Sequence, residues 1–407
     1  MRYVRISDVC SSVYSGGTPS KKHDEYYAGG TIPWLNTSEI KFNRIHATEK
    51  FITDEGYSAS SAKWVPANAV IVAMYGATAA RVAISKIPLT TNQACCNLIV
   101  DENIADYRYV YYWLCSRYTQ LAALANGGAQ QNLNAGQIKE FSILLPDIEE
   151  QRKMVNLLSA IDDKIEINTQ INDNLEQQAQ ALFKQTFIDN PESSSWEVGT
   201  FNDIIETMIA GDWGKDTPSG SNTEMVYCIR GADIPEVKAG NKGKMPTRYI
   251  LPKNYAAKRL LPGDVVVEIS GGSPTQSTGR IAAISQSLLD RFDKGMVCTN
   301  FCKALKPKAG YSMFIYYYWQ YLYSKNVFFS YENGTTGIKN LDIAGFIETE
   351  PIVLPPFETI QGFETFCKSV FDTIFANGLV NERLSNIRDA LLPKLMSGEL
   401  DVSDIEL

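Results

Sequence analysis

One internal repeat limits what this chain can fold into. A constant offset of 209 residues carries Pro146 onto Pro355, Glu149 onto Glu358, Asp163 onto Asp372 and Ile165 onto Ile374. The same offset carries Asn168 onto Asn377, Asn172 onto Asn381, Leu175 onto Leu384, Ala181 onto Ala390 and Leu182 onto Leu391. Shorter matches precede this stretch in each half and keep the same order. Thr18-Pro19-Ser20 returns as Thr217-Pro218-Ser219, and the turn and buried strand from Pro66 to Val72 return from Pro262 to Glu268. A small polar loop follows each strand, Tyr75-Gly76-Ala77-Thr78 or Ser270-Gly271-Gly272-Ser273. A strand opening on Arg81 or Arg280 comes next, and then Thr91-Asn92 or Thr299-Asn300. An aromatic helix (Tyr107 to Leu124, Tyr311 to Phe329), a Gly-containing loop and a strand ending in Leu145-Pro146 or Leu354-Pro355 complete each half. The plan is globular unit, long helix, globular unit, long helix.

The long helices carry a coiled-coil pattern. Met154, Leu158, Ile161, Ile165, Asn168, Asn172, Leu175, Ala179 and Leu182 alternate spacings of four and three, and no Pro or Gly interrupts Glu149 to Asp189. Roughly 38 residues at 1.5 Å each make a rod of about 57 Å. Val370, Ile374, Asn377, Asn381, Leu384 and Leu391 repeat the seam in the second half. Two such stripes in one chain bury each other as an antiparallel pair, because neither is stable facing water. Two rotations satisfy the pattern. One puts Asn168 and Asn172 in the seam as a register-fixing polar layer, and the other puts Ile167 and Ile171 there. A rod between two similar units is a ruler, and dissimilar units imply dissimilar sites.

Composition excludes several functions. With 38 Lys and Arg against 46 Asp and Glu, the chain of 407 residues carries a formal charge of −8, so it does not coat nucleic acid through bulk charge. The eight cysteines form no Cys-x-x-Cys pair and read as reduced buried thiols. Only His23 and His46 are available for a His-based metal site or a nucleophile–His pair, and neither sits in a motif. Gly17-Thr18-Pro19-Ser20-Lys21-Lys22 lacks the second Gly and the ending of a phosphate-binding loop. Leu354-Pro355-Pro356-Phe357 has Leu where an amino-methyltransferase tetrad needs an amide or carboxylate. Met1 to Asp8 has no apolar core, and polar residues break the stretch Tyr311 to Phe329. The sequence therefore predicts a cytoplasmic protein without signal peptide or membrane span, and a reader rather than a catalyst.

Gly16-Gly17-Thr18-Pro19-Ser20, Ile32-Pro33-Trp34, the turn and strand from Pro66 to Tyr75, and Leu145-Pro146 followed by Glu149-Glu150-Gln151-Arg152 resemble one family over essentially the whole chain. The ending Arg388-Asp389-Ala390-Leu391-Leu392-Pro393-Lys394-Leu395-Met396-Ser397-Gly398-Glu399-Leu400 is the most specific part. The chain resembles the specificity subunit of a type I restriction–modification system. Thr359-Ile360-Gln361 departs from the family's Glu-Glu-Gln in the second helix, which leaves the start of that helix open by a few residues.

The resemblance implies an α+β protein with two similar α/β target recognition domains in pseudo-twofold arrangement, separated by two long antiparallel coiled-coil helices. The divisions are 1–147 for the first recognition domain, 148–190 for the first spacer helix, 191–356 for the second recognition domain and 357–407 for the second helix and tail. It also implies that each domain reads one half of a bipartite asymmetric sequence of double-stranded DNA in the major groove. The helices set the spacer and dock two modification subunits. The chain itself binds no cofactor and catalyses nothing. S-adenosylmethionine belongs to the modification subunits, which methylate adenine, and ATP and Mg to restriction subunits where these join. The reading from a different class is a scaffold whose rod holds two protein partners without touching DNA.

Base and phosphate contacts need Arg, Lys, Asn, Gln, Ser or Thr on loops that can enter a groove. In the first domain these are Lys21, Lys22, Asn36, Thr37, Ser38, Arg44, Tyr75, Thr78, Gln130 and Gln131. In the second they are Trp213, Lys215, Arg230, Lys242, Lys244, Ser273, Thr275, Gln276, Thr335, Thr336 and Lys339. Arg81 and Arg280 occupy matched positions, for which a structural role and a phosphate contact are equally open.

Overall fold

Two antiparallel sheets with one strand order are the skeleton of the chain. The computed structural model describes residues 2–125, 132–273, 275–334 and 339–400. It divides into two compact units, Met1–Asp163 with Ser385–Leu407 (unit 1) and Lys164–Leu384 (unit 2).

In unit 1 the strands run Cys10–Ser15, Cys95–Val100, Val70–Ala73, Val82–Ser85 across the sheet, with Asn43–Ile45 added in parallel at the far edge. Val70–Ala73 and Val82–Ser85 are buried at every residue, which is why they read as continuous apolar runs. Unit 2 repeats the order as Ile205–Ala210, Cys302–Pro307, Val265–Glu268, Ile281–Ala283. A smaller sheet beside each is built around one parallel pair, Ile32–Leu35 with Leu89–Thr91 in unit 1 and Glu224–Ile229 with Met296–Cys298 in unit 2. A two-stranded ribbon occupies matched places too, Arg2–Arg5 with Ser142–Leu145 and Glu197–Thr200 with Pro351–Leu354. Among the described residues, unit 2 alone adds a ribbon of Ser270–Gly271, Lys339–Leu341 and Glu332–Asn333.

The aromatic helices pack on these sheets. Helix α1 (Tyr107–Ser116) buries Tyr109 to Leu114 without a gap, the mark of a helix enclosed all round. Tyr109 Oη donates to the Leu144 carbonyl at 2.7 Å and Trp113 Nε1 to that of Ser142 at 2.9 Å, so the buried rings also fix the ribbon. The single helix expected to Leu124 breaks at Arg117, whose ψ of 17° departs from the helical value, and resumes over Tyr118–Ala123. In unit 2 the counterpart (between the long helices α2, Ile148–Phe183, and α4, Phe357–Ser397) is α3, Ser312–Ser324. It ends near Asn326, which takes a left-handed conformation.

The Asn rotation is the one adopted. Asn168 and Asn172 are 1% and 3% exposed, while Ile167 and Ile171 are 49% and 39% exposed. Asn168 Nδ2 donates to Asn381 Oδ1 at 2.8 Å, and Asn377 Nδ2 to Asn172 Oδ1 at 2.9 Å. The helices are therefore antiparallel here, and the 209-residue offset exchanges one bond for the other. Asn172 Nδ2 also donates to the Ile374 carbonyl at 3.1 Å. One rotation wins because three buried amides and the half-buried Asn377 find partners in it.

The compact units do not divide at the helix ends. Unit 1 takes the start of α2 and the end of α4. Leu395 and Met396 complete its core with Ile143, Met154, Val155 and Leu158. Arg388 pairs there with Asp162 at 2.9 Å, and Asp162 also accepts from Tyr112 Oη at 2.5 Å. All eight cysteines are free thiols. Among the described residues no group of side chains is set to hold a metal, and no helix is long and apolar enough to cross a membrane.

Candidate nucleic-acid interface

Strand direction decides where the loops gather. In unit 1, Cys10–Ser15 and Val70–Ala73 end where Val82–Ser85 and Cys95–Val100 begin, so residues 16–22, 74–81 and 92–94 share one end of the sheet. The turn at Asn36 joins them, since Asn92 N donates to the Leu35 carbonyl at 3.0 Å and Asn92 Nδ2 to Asn36 Oδ1 at 3.3 Å. Unit 2 collects residues 211–216, 230–233, 269–273, 275–280 and 299–301 at the same end of its own sheet.

Close packing at this end explains two repeated sequence features. A Cβ on Gly16 would lie 2.1 Å from the Thr91 carbonyl oxygen, and one on Gly211 would lie 1.9 Å from that of Thr299. Glycine after the first strand and Thr-Asn before the last are thus two sides of one contact, made once in each unit.

The loop ends hold most of the residues expected to meet DNA. Lys21, Lys22, Ser38 and Tyr75 are exposed in unit 1, and Thr37 and Thr78 are half-buried. Asn36 is a frame residue, since its Oδ1 receives Asn92 and its N–H donates to Glu39 Oε1 at 2.9 Å. In unit 2, Lys215, Thr275 and Gln276 are exposed. The Ser273 hydroxyl is occupied in its own turn, accepting from Gln276 N at 3.0 Å. Trp213 is 37% exposed and carries the Arg248 guanidinium 4.1 Å from its ring centroid. Gln130, Gln131, Thr335 and Thr336 lie outside the described residues.

Several expected contacts are committed elsewhere. Arg44 lies on the edge strand Asn43–Ile45, not on the loop end, and its nearly buried guanidinium pairs with Asp163 of α2. Arg230 pairs with Asp233 at 2.9 Å and also donates to the Lys244 carbonyl at 2.7 Å. Burial alone would raise the Asp233 carboxyl, but Arg230 and the N–H groups of Lys244 and Arg230 carry it below the ordinary range. Lys339 pairs with Glu332 at 2.7 Å and lies over the Phe329 ring. Burial raises Glu332 too, and Lys339 with the Thr278 donors outweighs it, leaving it lowered. Lys242 lies over Phe292, in a loop whose Gly240 is packed against α4. Lys244 is exposed but its backbone is held by Asp233 at 3.0 Å. Arg44, Arg230 and Lys339 stiffen the structure around them, because each has a carboxylate already in place.

One exposed group was not singled out from sequence. Phe301, directly after Thr299-Asn300, is 60% exposed at the loop end of unit 2. Its position in the matched Thr-Asn turn was the available signal.

Residues 1–177 match the family model for the type I restriction modification DNA specificity domain, which sets the class of the fold. The chain is 29% identical to the type I restriction enzyme MjaIX specificity subunit of Methanocaldococcus jannaschii, over 98% of this chain and 94% of that one. It is 32% identical over 154 residues to the EcoR124I/EcoR124II specificity subunit of Escherichia coli, covering 37% of this chain and 38% of that one. A crystal structure of the type I restriction–modification S subunit from M. genitalium superposes with a TM-score of 0.56 at 18% identity, covering 97% and 95% of the two chains, and so shares the fold. The chain is thus similar over nearly its whole length to type I restriction–modification specificity subunits, and residues 1–177 carry their DNA specificity domain.

Proposed function

We propose that each unit reads one half of a bipartite, asymmetric DNA sequence in the major groove, with the paired long helices setting the unread spacer. The observation that carries this reading is the contrast within the repeat. Strand order and the Gly–Thr contact are kept in both units, while the loops at the shared sheet end differ in length and side chains. A kept frame with changed loops is what two different half-sites require. The helices also dock two modification subunits in this reading. Ile167 and Ile171 of α2 and Val380 of α4 are exposed beside the Asn layer and supply apolar surface for them. Those subunits bring S-adenosylmethionine and methylate adenine. Restriction subunits, where they join, bring ATP and Mg.

The test is a domain exchange. Residues 191–356 are replaced by those of a relative with another target, the chain is assembled with its modification subunit, and methylated adenines are mapped. One half of the methylated sequence should change and the other should stay. No change at all would replace the DNA reading by the scaffold reading.

A further inference from the structure

Backbone hydrogen bonds fix which residues of the two units correspond beside the loops. Ala80 N donates to the Ala73 carbonyl at 2.8 Å, and Ala73 N to the Arg81 carbonyl at 2.8 Å. In unit 2, Gly279 N donates to the Glu268 carbonyl at 2.9 Å, and Glu268 N to the Arg280 carbonyl at 2.9 Å. Arg81 therefore matches Arg280, Ala80 matches Gly279, and Ala73 matches Glu268.

The two arginines have opposite situations. Arg280 is closed by a forked pair to Glu268, Nε to Oε2 at 2.7 Å and Nη2 to Oε1 at 2.6 Å. In unit 1 the carboxylate is replaced by the methyl of Ala73. Among the described residues, no side chain or carbonyl accepts from the Arg81 guanidinium. Arg81 is half-buried at the start of a core strand, so its stem is held while its charge has no partner among the described residues. It follows Tyr75, 42% exposed, and Ala80, a non-glycine residue in the left-handed region at φ 67°. Strain of this kind is retained where a loop must hold one shape.

We propose that Arg81 grips a DNA phosphate in unit 1, and that unit 2 has closed the same position with Glu268. The assignment rests on the DNA reading above and adds to it the contact made there. A phosphate is the fitting ligand for three reasons. The matched position already accommodates a two-oxygen anion in unit 2. A guanidinium fork matches carboxylate and phosphate alike. A side chain anchored at a strand start has little reach toward base edges.

The full chain is assembled with its modification subunit, and binding to its methylated sequence and to unrelated DNA is measured between about 50 and 300 mM salt. Arg81→Ala should lower the log–log salt slope by about one and weaken binding about fivefold at 0.15 M salt, equally on both DNAs. Arg81→Lys should keep most of the slope. Ala73→Glu should mimic Arg81→Ala, because it offers Arg81 the partner that Arg280 has. Arg280→Ala should leave the slope unchanged. An unchanged slope in Arg81→Ala, with the melting temperature also unchanged, overturns the assignment. A loss confined to one base position would make Arg81 a base reader and overturns it as well. A wild-type complex indifferent to DNA overturns the underlying reading and this one with it.

Discussion

The sheet ends of the two units were built on one strand order and then stiffened differently. At the end of unit 1, the loop 74–81 is short, and Arg81 has no described partner. At the end of unit 2, the loop from Ile269 to Gly279 is longer and joins an extra ribbon. Three cations around it are matched by carboxylates, Arg280 by Glu268, Arg230 by Asp233 and Lys339 by Glu332. A longer loop has more chain entropy to lose on ordering. Internal ion pairs are one way to supply order, at the expense of charge left for a polyanion. Unit 1, with a shorter loop, keeps its charge outward.

Removing Glu268 tests the comparison most severely. Glu268→Ala leaves a partly buried guanidinium without its fork, and breaking such a pair should cost about 2–3 kcal/mol, reduced from the fully buried case because Arg280 keeps some solvent. Chemical denaturation should show the loss, and a stability within about 0.5 kcal/mol of wild type would mean that the pair does not hold the loop.

A smaller effect should come from exchanging residues at the matched left-handed position. Unit 2 has Gly279 there at φ 95°, where a Cβ would lie 3.0 Å from the Phe328 ring, and unit 1 has Ala80 at φ 67°. Gly279→Ala should destabilise by about 1–2 kcal/mol, and Ala80→Gly should be neutral or stabilise by up to about 1 kcal/mol. Equal effects in thermal melting would deny that the two units handle the position differently.

The smallest expected difference is in acid. Asp233 and Glu332 are both lowered in the fold, so their stabilisation is fully present above the ordinary carboxylate range and is lost as pH falls through their lowered values. Below about pH 4 the loops of unit 2 should loosen before loop 74–81 of unit 1. Brief pepsin digestion at about pH 3, followed by mapping of the first cuts, reads this order. First cuts in 74–81 would reverse it.

The architecture was legible wherever it left a periodic or repeated trace. The offset in the long helices, the paired turn–strand segments and the two aromatic stretches all correspond to observed elements. The rotation of α2 was not legible, because Asn168 and Ile167 satisfy the same spacing. Only the buried bonds to Asn381, Asn377 and the Ile374 carbonyl select it. The loop residues were partly legible. Sequence can nominate Arg44, Arg230 and Lys339 as cations on exposed segments, but it cannot show that Asp163, Asp233 and Glu332 wait beside them. For Arg44 the partner is 119 residues away in the chain. Phe301 was missed because an aromatic in a tight turn is ordinarily buried, and here the turn holds it outward.

The completion of unit 1 by Leu395 and Met396 has a consequence for how the protein is made. The core of unit 1, whose sheet precedes unit 2 in the chain, needs apolar residues that follow unit 2. During the translation of unit 2, the cluster that holds Met154 and Leu158 lacks the part that Leu395 and Met396 supply. Closure of the older domain is thus a late, long-range event, of the kind that slows folding and exposes apolar surface. A chain cut before Leu395 would leave the core of unit 1 unfinished.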